Sequence, residues 1–148
     1  TGVQTCALPI SNALPHPQKA DAVVSQLAQD ISTLLVVPYP MKRFVPFVVM
    51  HEFEALLFSD CQAFSSAIYR DDLKDALQKI RDQFGSPEEI NDSPQTAPSK
   101  RIENLIPGYQ KPILGTLAAL GVGLDRMQLE CPRFAIWLRR LEAAVARP

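Results

Sequence analysis

Apolar residues at Ala20, Val23, Val24, Leu27 and Ile31 return every three or four positions, the stripe of an amphipathic helix over Lys19 to Ile31, and Pro17 is acceptable just ahead of a first turn. Beyond this helix the period changes. Leu34 to Val37 and Phe44 to Met50 are short apolar runs, separated by Pro38, Pro40, Lys42 and Arg43. The second run predicts a buried strand, with Pro46 placing it at a sheet edge or a strand start. HEFEALLF, His51 to Phe58, returns to a helical period with Phe53, Leu56 and Leu57 on one side, so the strand is expected to hand over to a helix at His51. Leu73 to Phe84 predicts a second amphipathic helix, with Leu73, Ala76, Leu77 and Ile80 apolar and Gly85 as its stop. SPEEINDSPQTAPS, Ser86 to Ser99, carries three prolines and little apolar period, which predicts a long extended loop of the kind that often carries function. Further helices are expected over Pro98 to Ile106, Pro112 to Leu120, Leu124 to Glu130 and Arg133 to Ala146, the last with Phe134, Trp137, Leu138 and Leu141 inward.

Thr1 to Ile10, TGVQTCALPI, follows neither period and has no signal-peptide layout; it resembles a translated sequencing-library adapter. The expectation is that native sequence begins near Asn12 and that the chain is the carboxyl-terminal part of a larger bacterial protein. The rest is long enough for one domain with a core. Hydrophobic residues at 47% and charged residues at 21% predict a packed chain. With 15 basic and 16 acidic residues the formal net charge is -1, so no overall field draws the chain to nucleic acid or acidic lipid, and any such contact must be local. Outside the adapter-like segment the cysteines are Cys61 and Cys131, in no metal-ligand spacing, which predicts reduced, structural thiols. No apolar run reaches the roughly 18 to 20 residues of a membrane span, and a cytoplasmic protein is expected.

Two groups of residues have the types and spacing for chemistry. His51, Glu52 and Glu54 bring a zinc protease to mind, but the second histidine of that motif is missing, since position 55 is Ala. What remains is His51 and Glu54 on one helical face after a buried strand. A carboxylate placed there can hold magnesium; equally it can pair with a neighbouring base while His51 sits as a satisfied imidazole. The second group is Thr96, Ser99, Lys100 and Arg101 at a helix start after the polar loop, where free N–H groups and the positive helix end attract a phosphate. Ordinary capping with solvated charges explains the same residues, and Tyr109 and Lys111 extend either picture. A phosphate-cradling glycine loop, a dinucleotide fingerprint and a serine elbow are all missing. TLAALGVGLDRM, Thr116 to Met127, imitates a DNA-reading helix-turn-helix loosely; with Leu117 at a crowded position and Pro132 cutting the second helix short, core packing is the expectation.

RFVPFVVMHEFEALLFSD (Arg43 to Asp60), FGSPEEINDSPQTAPSKRI (Phe84 to Ile102), IPGYQKPILG (Ile106 to Gly115) and CPRFAIWLRRLE (Cys131 to Glu142) together resemble the carboxyl-terminal half of an uncharacterised bacterial family, domain of unknown function 4276. The resemblance implies a Toprim-like parent: an α/β to α+β fold in which this chain supplies one or two strands of the sheet, followed by a mostly helical region. The expected division is an adapter-derived segment at 1–11, the end of a Toprim-like domain at 12–60 and a helical region at 61–148. It implies a magnesium-dependent nuclease or phosphoryl-transfer effector in phage defence, in which Glu54 and Lys100 are catalytic, Ser99, Arg101 and Lys111 bind phosphate, and Glu54 with His51 holds Mg2+. The Toprim glutamate and Asp-x-Asp motifs are absent, so the fragment alone is expected to be inactive. A rival from another class is a non-enzymatic helical module docking a partner ATPase or nucleic acid, with no membrane contact. The enzymatic reading requires Glu54 and Lys100 to face one concave surface.

Overall fold

The computed structural model describes residues 18–35, 44–49, 52–90 and 96–146, and within them every regular element is helical. The elements are α1 (Gln18–Leu34), α2 (Cys61–Ala67), α3 (Lys74–Arg81), α4 (Pro98–Leu105), α5 (Thr116–Val122), α6 (Leu124–Glu130) and α7 (Pro132–Val145). Short 3-10 turns occupy Phe53–Ser59, Asp71–Leu73 and Pro87–Glu89, and a π-helical turn spans Lys111–Gly115.

This overturns the expected Toprim-like sheet fragment and its α/β to α+β class. Residues 44–49 form no strand, and Leu34 closes α1. A strand exists only when a neighbour satisfies its N–H and C=O groups, and none of the described residues offers one. The Val45 carbonyl accepts a hydrogen bond from the Trp137 indole N–H at 2.9 Å instead. Residues 36–43 and His51, with the supposed strand-to-helix junction, lie outside the described residues. The β-branched apolar run at 44–49 has strand propensity, but such propensity measures fit to a sheet that must already exist.

The chain divides into two compact units, residues 1–48 with 137–148 and residues 49–136. In the first, α1 buries only Ala20 and leaves Leu27 and Leu34 exposed, while Trp137 stacks on Phe47 with ring centroids 5.0 Å apart.

The second unit holds the main core. Its centre is the HEFEALLF block, folded as the 3-10 turn Phe53–Ser59, in which Glu54 to Ser59 are all buried. Asp60 then caps α2, its carboxylate accepting the Ala63 N–H at 2.9 Å, an arrangement that satisfies one of the open donors of a helix start. Phe58 and Phe64 meet edge to face at 6.1 Å, and Leu57, Leu77, Ile90, Ile102, Met127 and Cys131 complete the packing. α2 and α5 approach closely because both present small residues: a Cβ at Gly121 would lie 2.4 Å from the Ala67 Cβ and 3.1 Å from the Ala63 carbonyl oxygen. Gly123, at φ +76°, makes the break between α5 and α6.

The long polar segment after α3 is less open than its composition suggests. Ile90 is fully buried, and Glu88 reaches the start of α7, accepting the Arg133 N–H at 3.0 Å and the Phe134 N–H at 2.9 Å. With Pro132 lacking an N–H, these are the first two donors of that helix. The predicted helices over Pro98 to Ile106, Leu124 to Glu130 and Arg133 to Ala146 are present within a residue or two of the expected ends. In α7 only Ala135 is buried, with Phe134 packed partly against the core.

Candidate functional site

Three stretches far apart in sequence meet in one charged cluster of the second unit. Glu52 and Glu54 flank the entry to the central 3-10 turn, Ser99 belongs to the first turn of α4, and Tyr109 and Lys111 lead into the π-helical turn ahead of α5. The Lys111 ammonium lies 3.3 Å from Glu52 Oε1 and 3.2 Å from Glu54 Oε1, bridging the two carboxylates. Glu52 also accepts the Ser99 N–H at 2.7 Å on Oε2 and the Ser99 hydroxyl at 2.9 Å on Oε1. It therefore acts as the cap of α4 from a position distant in the chain, where the helix itself offers no side-chain cap.

Burial and charge shape the cluster differently at each group. The Glu54 side chain is 6% exposed, against 27% for Glu52 and 48% for Lys111. Burial pushes the Glu52 carboxyl up, but the two bonds from Ser99 and the adjacent Lys111 outweigh it and hold the group below its ordinary value. For Lys111 burial favours the neutral amine, yet Glu54 and Glu52 together raise its pKa, so it stays charged. Tyr109 is pushed up to about 12 by burial and by the Glu54 and Glu52 charges, and it remains a neutral phenol. Its hydroxyl is buried and finds no hydrogen-bond partner among the described residues.

The residues assigned roles from sequence separate into two sets. Glu54, Ser99 and Lys111 come together. Lys100 is not part of that gathering: its ammonium pairs with Glu103 at 2.6 Å, in an i,i+3 pair that is half exposed. Arg101 donates from Nε to the Thr96 carbonyl at 2.8 Å, and its guanidinium lies 5.2 Å from the centroid of the Phe84 ring. His51 lies outside the described residues. In the sequence Glu52 belongs only to the protease-like motif, and its place two residues from Glu54 is the signal that nominates it.

Among the described residues no group of three or more His, Cys, Asp or Glu side chains gathers to hold a metal ion. The pair that is present does not fit magnesium, since the Lys111 ammonium already bridges both carboxylates and Glu52 has both oxygens engaged. No step through a metal follows from these residues.

Elsewhere in this unit a concavity of about 430 Å³ is bordered by Asp60, Cys61, Arg81, Arg126 and Glu130. Within it Arg81 pairs with Glu130 at 3.2 Å, and Arg126 reaches Asp60 at 3.6 Å and Glu130 at 3.5 Å. Burial pushes the Cys61 thiol up to about 12 and the Cys131 thiol up to about 11, which leaves both as packing groups with little thiolate at neutral pH.

The geometry defines an all-helical unit organised round a buried 3-10 turn and a glutamate–lysine cluster. The chain belongs to the family described as domain of unknown function (DUF4276), which it matches over residues 8–142. No curated protein and no solved structure matches it. No helix among the described residues is long and apolar enough to cross a membrane.

Proposed function

We propose that the second unit is a protein-docking module that receives an amphipathic helix from a partner protein on the outer face of α5. The observation that carries this reading is an inverted helix. α5 and the π-helical turn before it bury Gly115, Ala118 and Val122 and pack Leu114 partly against the core, and they expose three large residues: Ile113 at 56%, Leu117 at 39% and Leu120 at 76%. A surface helix ordinarily does the reverse, because exposing large aliphatics forfeits their burial. Ile113, Leu117 and Leu120 are spaced four and three apart, the repeat by which two helices interlock. From Pro112 to Leu124 the chain carries no ionisable side chain, so the complementary surface is apolar as well.

The occupant we favour is a helix of a partner ATPase. Nucleic acid is the weaker alternative, since the net charge is -1 and Lys100, Arg101 and Lys111 already have internal partners. A nuclease reading lacks support in the same residues. The test is titration of a purified candidate partner ATPase with the full chain and with Leu117→Glu/Leu120→Glu. Binding by the natural chain that falls by about a hundred-fold or more in the double variant is expected, because two desolvated aliphatic contacts are replaced by charges. Equal binding by both chains would remove α5 from the interface, and no binding by the natural chain would remove the ATPase as its occupant. Salt-sensitive binding of an oligonucleotide that is lost in Lys100→Ala would favour the alternative.

A further inference from the structure

We propose that the hollow bordered by α3 and α6 binds a small zwitterion, an amino acid or a short peptide, with Lys74 and Arg126 receiving its carboxylate and Asp82 and Glu130 its ammonium. This goes beyond the docking reading and does not depend on it. At about 430 Å³ the hollow has the size of a small-molecule site. Among the described residues three cations, Lys74, Arg81 and Arg126, face three carboxylates, Asp60, Asp82 and Glu130, around it. Such a balance draws neither an anion nor a cation by overall field, and a ligand that carries both charges matches it.

Both signs have hydrogen-bonding atoms to spare. Arg81 is committed, donating from Nη1 to the Phe84 carbonyl at 2.8 Å and from Nη2 to Glu130 Oε2 at 3.2 Å. Arg126 is held differently. Its guanidinium stands 3.6 Å from Asp60 Oδ2 and 3.5 Å from Glu130 Oε1, close enough for charge attraction and too far for a hydrogen bond. Lys74 has neither an ion pair nor a hydrogen bond among the described residues, and as the first residue of α3 it sits where the positive helix end disfavours a cation. On the acidic side Asp82 receives Gln78 on Oδ1 at 2.7 Å and leaves Oδ2 open, while Glu130 Oε1 meets only the distant Arg126. Gaps of this width between opposite charges are closed by polar atoms of a third molecule. Because Arg126 and Glu130 are partly exposed and loosely paired, a ligand gives up little by drawing them to itself.

The experiment is calorimetric titration of the full chain with L-glutamine and with L-alanyl-L-glutamine, alongside two analogues that each lack one charge: glutaramate, without the ammonium, and γ-aminobutyramide, without the carboxylate. Saturable binding of a zwitterion is expected, with each analogue at least about ten-fold weaker. Tighter binding of the dipeptide assigns the site to peptides, and otherwise it belongs to free amino acids. Arg126→Gln should weaken binding about ten-fold and Lys74→Ala about five-fold, the latter without lowering the melting temperature, whereas Lys79→Ala, exposed on the same helix and outside the hollow, should leave affinity unchanged. No saturable binding of either zwitterion, an analogue that binds as tightly, or full affinity in both Arg126→Gln and Lys74→Ala would each overturn the proposal. Should Arg126→Gln fail to fold, Lys74→Ala decides alone, since no ion pair or hydrogen bond of the described residues is lost with that side chain.

Discussion

Glu52 and Glu88 perform the same task at two places and are tuned in opposite directions. Each carboxylate crosses a long stretch of chain to cap a helix it does not belong to, Glu52 on α4 and Glu88 on α7, and each accepts from the first free donors there. Glu88 is raised above its ordinary value because burial exceeds what two backbone N–H groups and the nearby Arg133 return. Glu52 is lowered, because a hydroxyl and the Lys111 ammonium join the backbone bond at a less buried position. Capping a helix start thus does not by itself decide the charge state of the cap. The added cation and the degree of desolvation do.

Removing the more buried cap tests this contrast most severely. Glu88→Ala leaves the Arg133 and Phe134 N–H groups without their acceptor in a partly buried setting and should destabilise the fold by about 2 kcal/mol, read from urea unfolding. Glu52→Ala should cost less, about 1 kcal/mol, since the α4 start is nearer solvent and Lys111 retains Glu54. An equal or larger loss at Glu52 would invert the comparison.

The pH dependence sharpens it further. A lowered folded-state value means that Glu52 contributes stability above its unfolded value of 4.5 and loses it as pH falls through the folded value. A raised value at Glu88 has the opposite sign: its contribution is complete below 4.5 and is lost as pH rises through the folded value. Measured against Glu52→Gln and Glu88→Gln, the natural chain should gain stability with pH across this window in the first difference and lose it in the second. Parallel slopes would show that one assignment is wrong. The smallest effect is expected at Lys100→Ala, under about 0.5 kcal/mol by thermal unfolding, since its exposed pair with Glu103 is screened and entropically costly.

Sequence period located the helices over Pro98 to Leu105, Leu124 to Glu130 and Pro132 to Val145, because proline and glycine at their ends act locally. It finds a helical HEFEALLF block, which folds as a 3-10 helix over Phe53–Ser59, and predicts a strand at 44–49 that the structure does not contain. Apolar runs say that a segment is buried, and whether it becomes strand, α-helix or 3-10 turn depends on which neighbours receive its backbone groups. The same limit applied to α5, where small and large apolar residues look alike in a binary pattern, and the close approach of Gly121 to Ala67 accompanies the outward placing of Leu117 and Leu120. At the charged cluster, residue type nominated Glu54, Ser99 and Lys111 as groups able to meet charge, while Lys100 and Arg101 had identical credentials and went to Glu103, Thr96 and Phe84.

What the linear chain determined alone was therefore local: where helices start and stop, which positions are apolar, and which side chains can carry charge. Which carboxylate capped which helix was decided by the folded chain, as Ser99 lies 47 residues from Glu52 and Arg133 lies 45 from Glu88. Hydrogen bonds and desolvation act over a few ångströms of space, and separation along the chain places no constraint on them once the core has drawn its elements together.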